Sequence, residues 1–327
     1  ITLPILYALM FRVIFTEISA TAESMKTETE LNAAKLIQTS ILPQSRFNGT
    51  KGISLSAAMI PAKEVGGDFY DFFELGNGKI AVLIADVSGK GIPAALFMMH
   101  AHSIIKNNII LTNSPAEAMT KSNIQLLENN DSCMFVTVFI GILDLNSGTF
   151  TYSNAGHNPP LIKNKSLEYL NVKKQPVLGV VPTTYEDLEV TLSDDAIIFL
   201  YTDGVTEAMD DAGEEYGTER LLNLLKSPGV MNMKDLVDLV NSDVNAYSKQ
   251  PHDDVTMVAL EYTGSSTKLS VSAEKKSLEI IQKLISSSLK TDDAKLKSSI
   301  MMVIEEIFVN IISYACLLYT SDAADER

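Results

Sequence analysis

The chain has 327 residues, of which 46% are hydrophobic, and a formal net charge of −15 at pH 7. This length and apolar content suffice for the core of one large domain and part of another. The acidic excess argues against a nucleic-acid surface, and two cysteines without CxxC spacing indicate neither a disulfide framework nor a cysteine zinc site.

The two ends of the chain are predicted to differ from its body. Residues 1–20 form an apolar run interrupted by Arg12, which we interpret as a membrane-proximal or sensor-derived tail too short to span a bilayer alone. Residues 316–327, when back-translated, look like read-through into a sequencing adapter, so we exclude them from the fold prediction.

A helix is predicted before the main domain. Residues 15–42 lack proline and glycine and carry a loose apolar stripe, and Pro43 ends the pattern. We interpret residues 21–50 as a signalling linker helix that follows an upstream sensor region of the same chain. The stripe fits an ordinary packed helix and equally a dimeric coiled coil, which would give a homodimer.

Residues 51–263 are predicted to form one domain rich in strands. Hairpins are expected around Gly76-Asn77-Gly78 and Asn146-Ser147-Gly148. Strands are predicted over 53–60, 71–75, 79–85, 135–143, 149–153, 196–200 and 255–262, and helices over 94–107, 116–128, 218–225 and 233–247. Because the strands gather before and between the helices, the pattern favours an α+β sandwich over a doubly wound parallel sheet.

Aspartate-bearing turns stand at the margins of four of these strands. The motifs are VGGDFYD from Val65, DVSGKG from Asp86, YTDG from Tyr201 and HDDVT from His252. Each motif alone is foremost a turn signal. Converging carboxylates, however, can hold two hard divalent cations with a nucleophilic water between them, and oxygen ligands favour magnesium or manganese over zinc.

Taken together and in order, the motifs closely resemble the PPM family of metal-dependent serine/threonine phosphatases, in its SpoIIE/RsbU-like bacterial branch. The resemblance covers about residues 30–262. It begins at Ala34-Lys35-Leu36-Ile37-Gln38 with Leu42-Pro43 and runs through GGDFYD, ADVSGKGIPAALFM and NAGHNPP to YTDGVTEA and HDDVTMV. It implies two packed antiparallel sheets flanked by helices, with a metal site at one edge.

The resemblance also implies a ligand set for two Mn²⁺ or Mg²⁺ ions. Asp86 would bridge both ions, with the backbone carbonyl of Val87 as a further ligand. Asp68 would serve one ion, and Asp203 and Asp253 the other. Asp86 and Asp203 are the residues on which catalysis is expected to depend.

Three further residues are candidates for supporting roles. Asp71 and Asp254 are neighbours of the predicted ligands and could orient them or act as an acid. Eukaryotic members have Asp-Gly-His where this chain has Asp86-Val87-Ser88, so their candidate acid for the leaving serine is absent. His157 is a possible substitute; the alternative is that it braces its loop.

The expected reaction is hydrolysis of phosphoserine or phosphothreonine on a protein. By family analogy the partner is a phosphorylated STAS-domain anti-sigma-factor antagonist, and the catalytic region is cytoplasmic, with tethering to the inner face of the plasma membrane by a missing N-terminal segment left open. Two alternatives remain: a pseudophosphatase that only binds its partner, and a metal phosphohydrolase acting on small molecules.

A weaker resemblance follows the phosphatase-like domain. Residues 267–315 look like part of a GHKL ATPase of the anti-sigma-factor kinase type, a partial α/β sandwich. Glu306 and Asn310 lie one helical turn apart, as a vestigial nucleotide and magnesium site would require. An ordinary amphipathic helix is the alternative, and without a glycine-rich lid we expect no competent nucleotide binding.

Overall fold

The computed structural model describes residues 2–43, 46–47, 52–128, 130–226, 232–248, 253–264, 277–288 and 296–309. The chain divides into two compact units, Ile1–Ser266 and Thr267–Arg327. The larger unit contains all of the aspartates that the motif analysis selected, and its two antiparallel sheets carry helices on their outer faces.

One long helix, α1 (Thr2–Ile41), precedes the sheets. It ends just before Pro43, which cannot continue a helix without losing a backbone hydrogen bond. The described part of the apolar tail and residues 21–41 of the predicted linker therefore form one continuous helix, on which Phe15, Ile18 and Met25 are exposed. The prediction that the linker helix extends to residue 50 is wrong, because the helix ends before Pro43 and Arg46–Phe47 form a strand. Among the described residues, no helix has both the length and the apolar character that crossing a membrane requires.

The first sheet has six strands. They are β1 (Arg46–Phe47), β2 (Ile53–Ile60), β7 (Leu161–Lys163), β8 (Leu167–Tyr169), β10 (Ala196–Tyr201) and β11 (Val255–Tyr262). Their order is β1-β2-β11-β10-β7-β8, and every neighbouring pair is antiparallel. Tyr201 lies opposite Met257, so the chain leaves β10 beside the point where it enters β11.

The second sheet has five strands. They are β3 (Phe69–Gly76), β4 (Lys79–Val87), β5 (Val136–Asp144), β6 (Thr149–Ala155) and β9 (Leu188–Thr191), in the order β3-β4-β5-β6-β9. Asn77 and Gly78 connect β3 to β4 with φ angles of 53° and 76°, as the tightest hairpin turns require. Because Phe69 lies opposite Ala85, the residues just before β3 adjoin the end of β4.

Five helices complete the larger unit. They are α2 (Ile92–Thr112), α3 (Pro115–Leu127), α4 (Asp203–Thr206), α5 (Thr218–Lys226) and α6 (Met233–Tyr247). Alternate residues of β4 serve different cores: Val82 and Ile84 pack between the sheets, whereas Leu83 packs with Met98 and Ile105 of α2. A third core joins the first sheet to α5 and α6. Consecutive residues of β4 are apolar, without polar alternation, because both faces of the strand are buried.

The structure confirms the predicted α+β sandwich of two antiparallel sheets flanked by helices. The two predicted hairpins are present, and the predicted 233–247 helix and the 53–60 and 255–262 strands have the expected bounds. The sequence analysis missed the short strands β7, β8 and β9 and the single turn of α4. Elements of three or four residues are too short to display a periodic pattern.

The smaller unit is described only in its helical parts. These are α7 (Ser277–Ser288) and a helical stretch over 296–309. Glu306 is exposed on that stretch. Asn310 lies outside the described residues, so the ATPase-like interpretation of this unit stays a prediction.

Candidate metal centre

Carboxylates from both sheets meet at one end of the sandwich. Asp68 immediately precedes β3, and Asp86 is the penultimate residue of β4, so the second sheet supplies these two. The first sheet supplies Asp203, the first residue of α4 after β10, and Asp253, just before β11. Electrostatic repulsion between these side chains shows that they are close neighbours.

Asp86 lies at the centre of this repulsion. Burial, together with the carboxylates of Asp203 and Asp253, raises the pKa of Asp86 to about 7, although a side-chain hydrogen bond with Asp68 opposes the rise. Neighbouring anions destabilise the ionised form of this carboxyl group, so a cation bound there would stabilise the ionised form strongly.

Asp68 is the most enclosed of the four carboxylates, with 2% of its surface exposed. Burial, followed by the charges of Asp86 and Asp254, raises its pKa well above the usual range. The Thr202 hydroxyl donates a 2.7 Å hydrogen bond to Oδ2 of Asp68 and accepts one of 3.0 Å from the backbone N–H of Thr256. Thr202 therefore fixes the orientation of Asp68 from the opposite sheet.

The loop before Asp68 is held by Asp254. Oδ1 of Asp254 accepts a 2.8 Å hydrogen bond from the Ala62 N–H, and Oδ2 accepts one of 2.7 Å from the Gly67 N–H. A Cβ atom at Gly67 would lie 2.8 Å from the Val87 carbonyl oxygen. This carbonyl, predicted as a ligand, therefore lies directly against the loop that carries Asp68.

Helix α1 reaches the same loop through Gln38, which belongs to the first motif of the resemblance but was not predicted as a site residue. The side-chain amide of Gln38 donates a 2.6 Å hydrogen bond to the Gly66 carbonyl, and its oxygen accepts one of 3.2 Å from the Gly66 N–H. Gln38 is 3% exposed. A buried glutamine on a mostly exposed helix indicates such a contact, because buried polar groups are normally hydrogen-bonded. This burial is known only from the structure.

Asp203 and Asp253 form the other side of the site. Burial and the charge of Asp253 raise the pKa of Asp203. The ammonium group of Lys90, in the loop between β4 and α2, lies 2.7 Å from Oδ2 of Asp253. The pKa of Lys90 is raised, first by the hydrogen bond to Asp253 and also by the charges of Asp254 and Asp203.

Asp71 has partners on helix α2. Its Oδ2 atom lies 2.8 Å from Nε2 of His102 and 2.8 Å from Nζ of Lys106, and the residue is 1% exposed. We therefore interpret Asp71 as an anchor between β3 and α2, and we do not assign it as an acid.

His157 is enclosed and held on both sides. Its ring Nδ1 pairs with the Thr137 hydroxyl at 2.8 Å, and its backbone exchanges hydrogen bonds with the side chain of Asn154. Burial lowers the pKa of His157 to about 4, so the ring is neutral at pH 7. These contacts favour the loop-bracing alternative over the acid role.

The donor set fits hard divalent cations. The carboxylates and the Val87 carbonyl offer only oxygen atoms, which suit magnesium and manganese. Within the described ranges, no three Asp, Glu, His or Cys side chains are gathered tightly enough to form a ready-made metal cage. An open set is compatible with these ions, because they retain several water ligands in proteins.

Comparison with known proteins gives a family match over the same region. The model of the Stage II sporulation protein E (SpoIIE) family matches residues 76–263. Protein IcfG of Synechocystis sp. is 28% identical over 263 residues, which cover 71% of this chain and 41% of that protein. The phosphoserine phosphatase RsbU of Bacillus subtilis is 29% identical over 243 residues, covering 73% of this chain and 71% of RsbU.

A solved structure agrees with the fold. The SiaA-PP2C domain of Pseudomonas aeruginosa superposes with a TM-score of 0.65 at 20% identity, covering 74% of this chain and 99% of that domain. The family match falls on the larger unit and includes Asp86, Asp203 and Asp253 of the carboxylate site.

Proposed function

The chain belongs to the SpoIIE family, and from that premise we propose that it is a PPM-type phosphatase that hydrolyses phosphoserine or phosphothreonine on a protein. One observation carries the proposal: Asp68 and Asp86 from one sheet converge with Asp203 and Asp253 from the other. The named activity of the relative RsbU, a phosphoserine phosphatase, supports the same reaction.

In this proposal the carboxylates hold two Mn²⁺ or Mg²⁺ ions. Asp86 would serve both, with the Val87 carbonyl as a further ligand, whereas Asp68 would serve one ion and Asp203 and Asp253 the other. When bound, the ions supply an acidified water as nucleophile and offset the charge of the phosphoryl group.

The surrounding residues keep the ligands in position. Thr202 orients Asp68, and Asp254 holds the Gly67 backbone, so the loop that carries Asp68 is already held in place before binding. The neutral ring of His157 stays in its bracing role. Protonation of the leaving serine is therefore left to solvent in this mechanism.

The proposed substrate is a serine-phosphorylated STAS-domain antagonist of an anti-sigma factor. Membership of the SpoIIE family supports this choice. The catalytic region would act in the cytoplasm under the control of an upstream sensor. Pairing of the exposed apolar residues of α1 would give a homodimer.

The smaller unit is proposed to be a remnant of a GHKL ATPase. A helix over 296–309 that exposes Glu306 is compatible with that assignment. We expect no nucleotide binding from it, and equilibrium dialysis of the full chain against radiolabelled ATP tests this.

The proposed function is tested by phosphate release from a serine-phosphorylated STAS-domain protein, with the full chain and Mn²⁺. We expect turnover that requires the metal and is lost in Asp203→Asn. Asp131→Asn, at an exposed aspartate, is the matched control and should retain activity.

Two results would contradict the proposal. Tight binding of the phosphoprotein without turnover would identify a pseudophosphatase. Metal-dependent turnover of small phosphoesters, with none of the phosphoprotein, would identify a small-molecule phosphohydrolase.

A further inference from the structure

Lys90 places a fixed positive charge against the carboxylate site. Its Nζ atom lies 2.7 Å from Oδ2 of Asp253. Among the described residues, no other lysine or arginine forms an ion pair with Asp68, Asp86, Asp203 or Asp253. The site therefore has one ammonium counter-ion supplied by the chain itself.

The loop that carries Lys90 is built for this contact. Gly89 and Gly91 flank the lysine with φ angles of 88° and 77°, a conformation that side-chain-bearing residues rarely adopt. These glycines turn the chain sharply between Val87 and the start of α2. The Lys90 side chain is 47% exposed, so its ammonium can exchange Asp253 for water at little cost.

Both oxygens of Asp253 are engaged. Oδ1 accepts a 2.9 Å hydrogen bond from the Asp254 N–H, and Oδ2 is paired with Lys90. The backbone contact is compatible with metal ligation through the other oxygen. The ammonium opposes ligation through Oδ2, because its positive charge, 2.7 Å from that oxygen, repels a divalent ion bound there.

We propose that Lys90 is a built-in competitor of the divalent ion at Asp253, so that binding of this ion requires the Lys90–Asp253 ion pair to break. This inference rests on the proposed function, which assigns Asp253 as a ligand. The competition sets the metal concentration at which the site fills. When no metal is bound, the Lys90–Asp253 ion pair also offsets part of the repulsion among the carboxylates.

The test is calorimetric titration of the full chain with Mn²⁺, which needs no substrate. Because an exposed ion pair contributes up to about 1 kcal/mol, we expect Lys90→Gln to lower the Kd of the Mn²⁺ ion at Asp253 by about 2- to 5-fold. Lys90→Arg keeps the charge and should stay near the wild-type Kd. Lys165→Gln, at an exposed lysine, removes an equal charge and should also leave the Kd unchanged.

A second measurement separates competition from simple loss of structure. In chelator-treated protein, Lys90→Gln should unfold at a lower temperature than wild type, because the carboxylate repulsion is no longer offset. Added Mn²⁺ should then raise its unfolding temperature more than it raises that of wild type. Opposite effects with and without metal are not expected from a merely damaged fold.

The outcomes distinguish this inference from the proposed function. Saturable Mn²⁺ binding by wild type with an equal or higher Kd in Lys90→Gln overturns the competition and leaves the metal site intact. Absence of saturable Mn²⁺ binding by wild type overturns both.

Discussion

Thr202 and Asp68 are joined across the two sheets by a 2.7 Å hydrogen bond. Thr202 follows the last residue of β10 in the six-stranded sheet, and Asp68 precedes the first residue of β3 in the five-stranded sheet. The hydroxyl is fully buried and also accepts from the Thr256 N–H. The Asp68 carboxylate is its nearest acceptor, since the backbone carbonyl oxygens of Asp254 and Thr256 lie 3.4 Å away. This hydrogen bond couples the position of Asp68 to the opposite sheet.

Replacing Thr202 by valine is expected to weaken Mn²⁺ binding. The substitution keeps the shape of the side chain but removes the donor that orients Asp68, and loss of such a contact to a ligand typically costs about tenfold or more in metal affinity. Calorimetric titration measures the change. Thr184→Val, at an exposed position, is the control, and equal Kd values for the two variants would show that Thr202 does not orient a ligand.

Replacing Lys106 by methionine is expected to destabilise the fold by about 1–3 kcal/mol, because the buried Asp71 carboxylate loses its ammonium partner. Urea unfolding gives the difference. Lys121→Met breaks an exposed pair with Glu117 on α3 and should cost no more than about 0.5 kcal/mol. Similar losses in the two variants would argue against an anchoring role for Asp71.

The His157 ring is expected to make the fold sensitive to acid. Its pKa is about 4 in the folded protein and about 6.5 when unfolded. Between these values the unfolded chain binds more protons, so stability falls as the pH drops from 6.5 towards 4, by about 3 kcal/mol in total. Urea unfolding at several pH values should show a shallower decline in His157→Gln, and parallel profiles would contradict the assignment.

Replacing Gln38 by methionine is expected to cost about 2–4 kcal/mol, because the buried N–H and C=O of Gly66 both lose their partner. Gln125→Met removes one hydrogen bond at an exposed residue on α3 and should cost about 1 kcal/mol or less. Thermal or urea unfolding compares them. A negligible effect at Gln38 would mean that α1 does not support the loop before Asp68.

The long elements were predictable because their burial follows a regular pattern. The long strands are buried on both faces, and the long helices are buried on one face. The apolar run of β4 and the stripe of α6 are examples. The aspartates of the site were predictable as residues, since turn signals mark the ends of strands. Their partners were not, because Thr202 and Asp68 are 134 residues apart, and no local pattern records such a contact.

The glycines beside the aspartates illustrate a second limit of prediction from sequence. In the sequence, Gly66, Gly67 and Gly204 resemble turn glycines, yet none of them has a positive φ angle. Each is required instead by close approach: Cβ atoms at Gly66 and Gly204 would overlap Asp254, and one at Gly67 would press on the Val87 carbonyl. These close contacts are made with residues that are distant in the sequence. The motif alone therefore does not distinguish a glycine required by close packing from a glycine required by a turn.

The placement of Asp253 and Asp254 near the end of the larger unit has a consequence for biosynthesis. The ribosome makes Asp68 and Asp86 early, but β11 inserts between β2 and β10 at the centre of its sheet and is the last strand of the unit to emerge. A nascent chain that ends before residue 253 therefore lacks β11, a central strand of the six-stranded sheet. It also lacks Asp253, one of the two carboxylates that this sheet supplies to the site. Unfinished chains released by stalled ribosomes should consequently lack a complete carboxylate site.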